Sequence, residues 1–175
     1  MRVSSKLWAV AALVCVCACR YAGTQTAYGR SNNDMNFGEV DLVLEDREGG
    51  RVLMVPFFVM GEGTLPPAFG DRERFQRFSA GNKARLPFPL RQGRVVIYVE
   101  AGGMVSYYDA DAIGTPVELE VIAGVGAQAE RGKGWWRDVG ARARHPTGNG
   151  NNHKQPEHAP HGTAPEFLFG LKKDF

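Results

Sequence analysis

The sequence predicts a mainly β protein: a compact β-sandwich or β-barrel of about six strands with one short helix and a disordered polar tail. Three observations carry that expectation. Glycine (22) and proline (10) are frequent among the 175 residues, which suits many turns and short strands better than a helical bundle. Apolar and polar residues alternate with period two in several segments, as strands with two unlike faces do. All three cysteines (Cys15, Cys17, Cys19) lie at the start of the chain, so the body must hold together without disulfides. The overall mix, 43% hydrophobic and 23% charged, excludes wholesale disorder and a multi-span membrane protein. A formal charge of +2 is too small for a dedicated nucleic-acid binder, so no nucleic acid is expected as a partner.

Residues 1–18 read as an export signal. Arg2 and Lys6 give a basic start, and Leu7 to Cys17 is an unbroken apolar run. As a helix that run spans about 16 Å, roughly half a bilayer core, too short for a permanent anchor. It ends in Val16-Cys17-Ala18-Cys19, with an aliphatic residue at −3, a small residue at −1 and cysteine at +1. This resembles the lipobox of bacterial lipoproteins. The resemblance implies a fatty-acylated Cys19 (palmitate or a similar chain), cleavage before it, and a protein held by its lipid anchor in the bacterial cell envelope, facing the periplasm or the exterior. It covers the leader alone. An ordinary signal cut after Ala18, Ala22 or Ala27 is the alternative.

Residues 19–36 hold Gly, Thr, Gln, Ser and Asn with little hydrophobic patterning and are expected to be a flexible tether. A β-rich domain is expected over 37–144. It opens with Val40, Leu42 and Leu44 alternating with Glu39, Asp41, Val43 and Glu45, the pattern of a half-buried strand. Glu48-Gly49-Gly50 turns it into a second strand, Arg51 to Met60, making a hairpin. Pro56 lacks an N–H and suggests an edge or a bulge there. After a Gly/Pro loop, Asp71 is placed to cap a short helix running to about Ala80, with Phe75 and Phe78 covering an open sheet end and Gly81 stopping it. Arg72, Arg74 and Arg77 would be its solvated side. Arg94 to Glu100, apolar on both faces, is expected to be central, and Ala101-Gly102-Gly103 to turn it into Met104–Tyr108. Pro116 to Ala123 alternates Val117, Leu119 and Val121 with Glu118 and Glu120, and Trp135 to Ala143 is one more strand. Residues 145–165 are a His/Pro/Gly/Asn-rich tail expected to be disordered. Residues 166–175 regain apolar residues and are expected to dock as an edge strand, or to meet a partner's sheet edge.

Several constellations invite a site. Asp109, Asp111 and Glu120 fall at places 1, 3 and 12 of a calcium-loop spacing, with Gly114 at the bend; Ile113 and Pro116 depart from it, and a polar inter-strand turn explains the same residues. His153, His158 and His161, with His145 nearby, offer soft ligands for zinc in a pliable loop. Trp135 and Trp136 beside Lys133 and Arg137 offer an exposed indole among cations, suited to a sugar ring, a glycan or a membrane interface. Arg142 and Arg144 would extend that edge toward lipid headgroups. The glycines at 124–126 and Gly132-Lys133 only approach nucleotide-loop spacings and lack the following helix. No catalytic residue is assigned: no cysteine follows Cys19, the histidines lie in the tail, and Ser79 has no nucleophile elbow around it. No resident cofactor is expected beyond such calcium or zinc. The leading expectation is a non-enzymatic structural or binding module of the envelope, partnered by the membrane and an envelope protein or glycan. The alternatives are a metal-, small-ligand- or glycan-binding exported protein, and a carboxylate-dependent envelope hydrolase.

Overall fold

The computed structural model describes residues 19–31, 35–46, 51–64, 74–90, 93–109, 117–147 and 163–175. They form eight strands: β1 (Cys19–Ser31), β2 (Asn36–Asp46), β3 (Leu53–Thr64), β4 (Arg74–Leu90), β5 (Val95–Asp109), β6 (Val117–Gly132), β7 (Trp135–Pro146) and β8 (Ala164–Asp174). Each pairs antiparallel with the next, and β8 returns to pair with β1 from Ser31↔Glu166 to Gly23↔Asp174. The result is a closed barrel with no sheet edge. Pro56 sits between β2 and β4 rather than at an edge: it pairs with Asn82 of β4, while the β2 ladder skips it between Asp41↔Phe57 and Leu44↔Met54, where a missing N–H removes no bond.

The two ends differ. At one, the connections are 47–52, 91–94 and 133–134, and both chain ends of the barrel lie there. At the other, the connections are 32–35, 65–73, 110–116 and 147–163. The tightest turn, between β6 and β7, has positive φ at Gly132, Lys133 and Gly134 (94°, 55° and 73°), which two glycines make accessible.

Five expectations are corrected. The fold is a barrel of eight strands, not a sandwich or a barrel of six, and no helix occurs among the described residues. Asp71 and Arg72 lie outside the described residues, and from Arg74 the segment expected as a helix is β4: Phe75 and Arg77 point inward while Phe78 and Ala80 point outward. The two phenylalanines therefore lie on opposite faces, and Arg77, expected in solvent, is fully buried. The tether of 19–36 is mostly β1, paired on both sides. Its inward residues Gly23, Gln25, Ala27 and Gly29 are small or polar, so it carries no aliphatic pattern to announce it. The turn expected at Ala101-Gly102-Gly103 is the middle of β5. A Cβ on Gly102 would stand 2.3 Å from the Asn82 carbonyl oxygen, so glycine here permits close strand approach rather than reversal. Residues 166–175, expected at an edge, are largely β8, an interior stave between β7 and β1. Of the expected tail, His145 and Pro146 end β7; His153, His158 and His161 lie outside the described residues.

Candidate functional site: an apolar wall around a charged lumen

On every strand, one parity of residues points inward and the other outward. The inward set is charged. Glu39 and Asp41 of β2, Arg77, Lys83 and Arg85 of β4, Glu100 of β5, Glu118 and Glu120 of β6, Asp138, Arg142 and Arg144 of β7, and Glu166 of β8 are all buried. The aliphatic partners in the same strands, such as Val40, Leu42, Val117, Leu119 and Val121, are exposed. The half-buried strands foreseen in the sequence are thus present with their faces reversed from those of a water-soluble sheet.

Toward the longer connections, Glu166 and Glu120 are each held by several donors. Glu166 accepts from Arg77 (3.1 Å), Arg144 (3.0 Å) and Arg142 (2.7 Å). Glu120 accepts from Arg77 at 3.1 Å and Tyr108 at 3.0 Å, and also from Ser106 and Arg144. Toward the short turns, Lys83 lies 3.0 Å from Asp41 and 3.7 Å from Glu100. Arg85 bonds Glu100 at 2.8 Å and Gln25 at 2.9 Å, and Gln25 donates to Asp138 at 2.8 Å. Arg142 joins the two groups, 2.6 Å from Glu39 as well as bonded to Glu166. Aromatic rings fill the remaining space: Arg85 lies 4.2 Å from the Tyr98 ring centre and Lys83 4.9 Å from that of Phe57. Eight staves leave an interior just wide enough for their own side chains. With Arg77, Arg144, Tyr108, Phe37, Phe57, Phe75, Lys83 and Met35 all fully buried, this lumen is a packed core rather than an open pore.

The outward set is apolar over a continuous belt. Val95, Ile97, Val99, Ala101, Gly103, Val105 and Tyr107 of β5 face out in succession, as do Val117 through Ala129 on alternate positions of β6. On β4 the outward positions from Phe78 to Leu90 include one polar residue, Asn82, and no charge. β8 adds Phe167, Phe169 and Leu171. Exposed aromatics mark both rims: Tyr28 and Tyr107 near the longer connections, Phe88, Trp135 and Phe175 near the short turns.

The candidate residues fall differently from the sequence expectation. Asp109 faces outward at the end of β5, Glu120 faces inward, and Asp111 lies outside the described residues, so Asp109 and Glu120 do not share a site. The bonds to Glu120 come from protein donors. Among the described residues no group of three His, Cys, Asp or Glu stands ready to hold a metal. Trp135 and Arg137 point outward and Trp136 inward, where its indole N–H donates to Asp174 at 2.6 Å. Arg142 and Arg144 are lumen residues, not part of an exposed basic edge; their parity on β7 matches Asp138 rather than Arg137. Sequence reading missed the lumen network entirely. Its signal was present: charges of both signs, at one parity, on strand after strand.

No known protein family matches the sequence, and no curated protein is similar to it. Solved structures do share its shape. Neisserial surface protein A (NspA) superposes with a TM-score of 0.64 at 14% identity, covering 89% of this chain and 96% of that one. The outer membrane enzyme PagL gives 0.53 at 16%, covering 88% and 100%. The N-terminal β-barrel domain of Pseudomonas aeruginosa OprF gives 0.52 at 10%, covering 90% and 99%. At these identities the likeness is one of fold.

Fold and neighbours together overturn the lipid-anchored lipoprotein and the membrane partnership through an acyl chain. Residues meant to hold a domain off the membrane are wall staves, with the Cys19 backbone paired to Asp46. The exclusion of a multi-span membrane protein falls too, because mean composition registers helical spans and not alternating strands. The chain has the fold of a closed eight-stranded barrel with its apolar face outward, shared with solved barrels that include an outer membrane enzyme.

Proposed function

We propose that this chain is an integral β-barrel protein of the bacterial outer membrane, a non-enzymatic module that sits in the bilayer by its wall and presents its longer connections outside. The observation that carries this reading is the uncharged outward belt. From Val95 to Tyr107 it runs twelve residue steps, about 40 Å of strand, or roughly 30 Å of height at a tilt near 40°. That matches a bilayer's hydrocarbon core. Water-soluble proteins rarely expose apolar patches beyond a few hundred Å², and the belt here spans several adjacent strands. Connections that are on the whole shorter at one end than at the other, with aromatic rims, follow the pattern of outer-membrane barrels, and that pattern supports an orientation with the short turns toward the periplasm.

The leader of residues 1–18 serves as the export signal. Cleavage after Ala18 leaves β1 whole, whereas cleavage after Ala27 would remove most of the stave that pairs with β8. PagL is an enzyme, so the fold is open to chemistry. The non-enzymatic reading rests on the lumen, where Glu120 and Glu166 are tied to arginines and no histidine faces inward among the described residues. The test is fractionation. The protein is expected to stay with outer membranes through alkaline carbonate and urea, and to migrate faster on gels before boiling than after. Release into the carbonate supernatant with no such mobility shift would overturn the reading.

A further inference from the structure

The outward rim at the β6–β8 corner, on the short-turn end, is rich in cations. Arg131, Lys133, Arg137 and Lys173 face outward or stand at the turn tip; of the nearby acids, Glu130 is exposed beside Arg131, and Asp174 is engaged by Trp136 and Lys172. Arg131, Lys133, Trp135 and Leu171 line a shallow surface hollow there. Trp135 is 46% exposed in it. Lys173 is fixed beside it, donating to the Lys133 and Asp174 carbonyls at 2.9 Å each, with its ammonium 5.8 Å from the Trp135 ring centre and 5.6 Å from that of Phe175. The opposite rim is mixed in sign, with Arg30 and Arg74 alongside Glu62 and Asp109.

Lys133 adds an independent indication. It holds φ 55°, a left-handed conformation that glycine or asparagine adopts at less cost. The turn itself therefore gives no reason for a lysine. We propose that this hollow binds the headgroup of an anionic phospholipid in the leaflet facing the short turns, an inference that rests on the membrane reading above. Arg131 and Lys133 meet the phosphate, the Trp135 indole lies at the level of the glycerol backbone, and an acyl chain follows Leu171 and Phe169 along the wall. Basic residues beside an anionic surface attract it appreciably even singly, and indoles favour the boundary between headgroup and hydrocarbon.

The experiment refolds the barrel into phosphatidylcholine vesicles containing a minor fraction of brominated phosphatidylglycerol or, in parallel, brominated phosphatidylcholine. The refolded protein is residues 19–175, which leaves out Trp8 of the leader; Trp136 faces the lumen, so bromine quenching reads Trp135. Insertion is scored first by the heat-dependent gel shift; failure to insert overturns the membrane reading and the inference with it. In inserted protein, the phosphatidylglycerol probe is expected to quench with at least about fivefold higher apparent affinity, the scale a single cation gives. That preference falls to near unity in the double variant Arg131→Gln/Lys133→Gln, and in the wild type at high salt. Equal quenching by both lipids in inserted wild type, or an undiminished preference in the inserted double variant, would overturn the headgroup site while leaving the barrel in place.

Discussion

Glu120 and Val121 are neighbours in the chain and belong to different solvents. Glu120 is buried among Arg77, Arg144, Tyr108 and Ser106; Val121 faces out with 45% of its surface exposed. The same contrast holds for Asp41 beside Val40 and Leu42, and for Glu166 beside Phe167. Alternation fixes which residues share a face. It does not fix which face looks toward the core, because a strand of period two fits a water-soluble sandwich and a membrane barrel equally well. What decides is the material on the other side: when the surroundings are hydrocarbon, the polar set must turn inward and satisfy itself.

That contrast can be broken from the lumen side first. Glu166→Ala removes the acceptor shared by Arg77, Arg142 and Arg144, and stranding a buried charge costs about 3–5 kcal/mol. Urea unfolding in vesicles should show a fall of that size. A change under about 0.5 kcal/mol, the range of unremarkable surface substitutions, would mean that the lumen is hydrated and the network idle.

From the wall side, Val121→Arg should destabilise the vesicle-inserted barrel by about 2–4 kcal/mol, and Val117→Arg, nearer the rim, by less. In a water-soluble barrel both would be almost neutral. A depth-dependent series along β6, read by the same unfolding assay, separates the two cases. Gly126→Val probes the fit of the lumen: a Cβ there would lie 2.2 Å from the Tyr98 ring, and overpacking of this kind costs about 1–3 kcal/mol. An unfolding midpoint equal to wild type would show that the ring is free to move aside. Smallest of all is Cys19→Ser, expected to leave carbonate-resistant membrane retention unchanged; loss of retention would restore the anchor that the barrel replaces.

Much of the sheet was legible. The β2–β3 pair and strand cores at 95–100, 117–123 and 135–143 follow from period and turn residues, and all are strands. Strand length was not, because Gly102, Gly103, Gly124 and Gly126 sit inside strands where they read as turns. The false helix arose from a plausible cap at Asp71 and stop at Gly81; Gly81 is instead a mid-strand residue paired with Phe57 and Met104. β1 was illegible because its inward side chains are small or polar. At the site, Glu118 and Glu120 read as one solvated face, since a carboxylate beside water needs no partner. The arginine partners of Glu120, Arg77 and Arg144, are distant in sequence, and only barrel closure brings β4, β6, β7 and β8 around one axis. Of the two indoles the sequence offers beside cations, Trp135 faces outward and Trp136 inward.

The most direct test of the account is a spin-label scan of single cysteines from 117 to 123 in vesicles, on residues 19–175 with Cys19→Ser, which leaves out Cys15 and Cys17 of the leader. The account predicts that labels at 117, 119, 121 and 123 collide freely with oxygen dissolved in the bilayer and hardly with a water-soluble nickel complex, while labels at 118, 120 and 122 collide with neither. Labels at the odd positions meeting the nickel complex instead, with the even ones unchanged, would place that wall in water and contradict it.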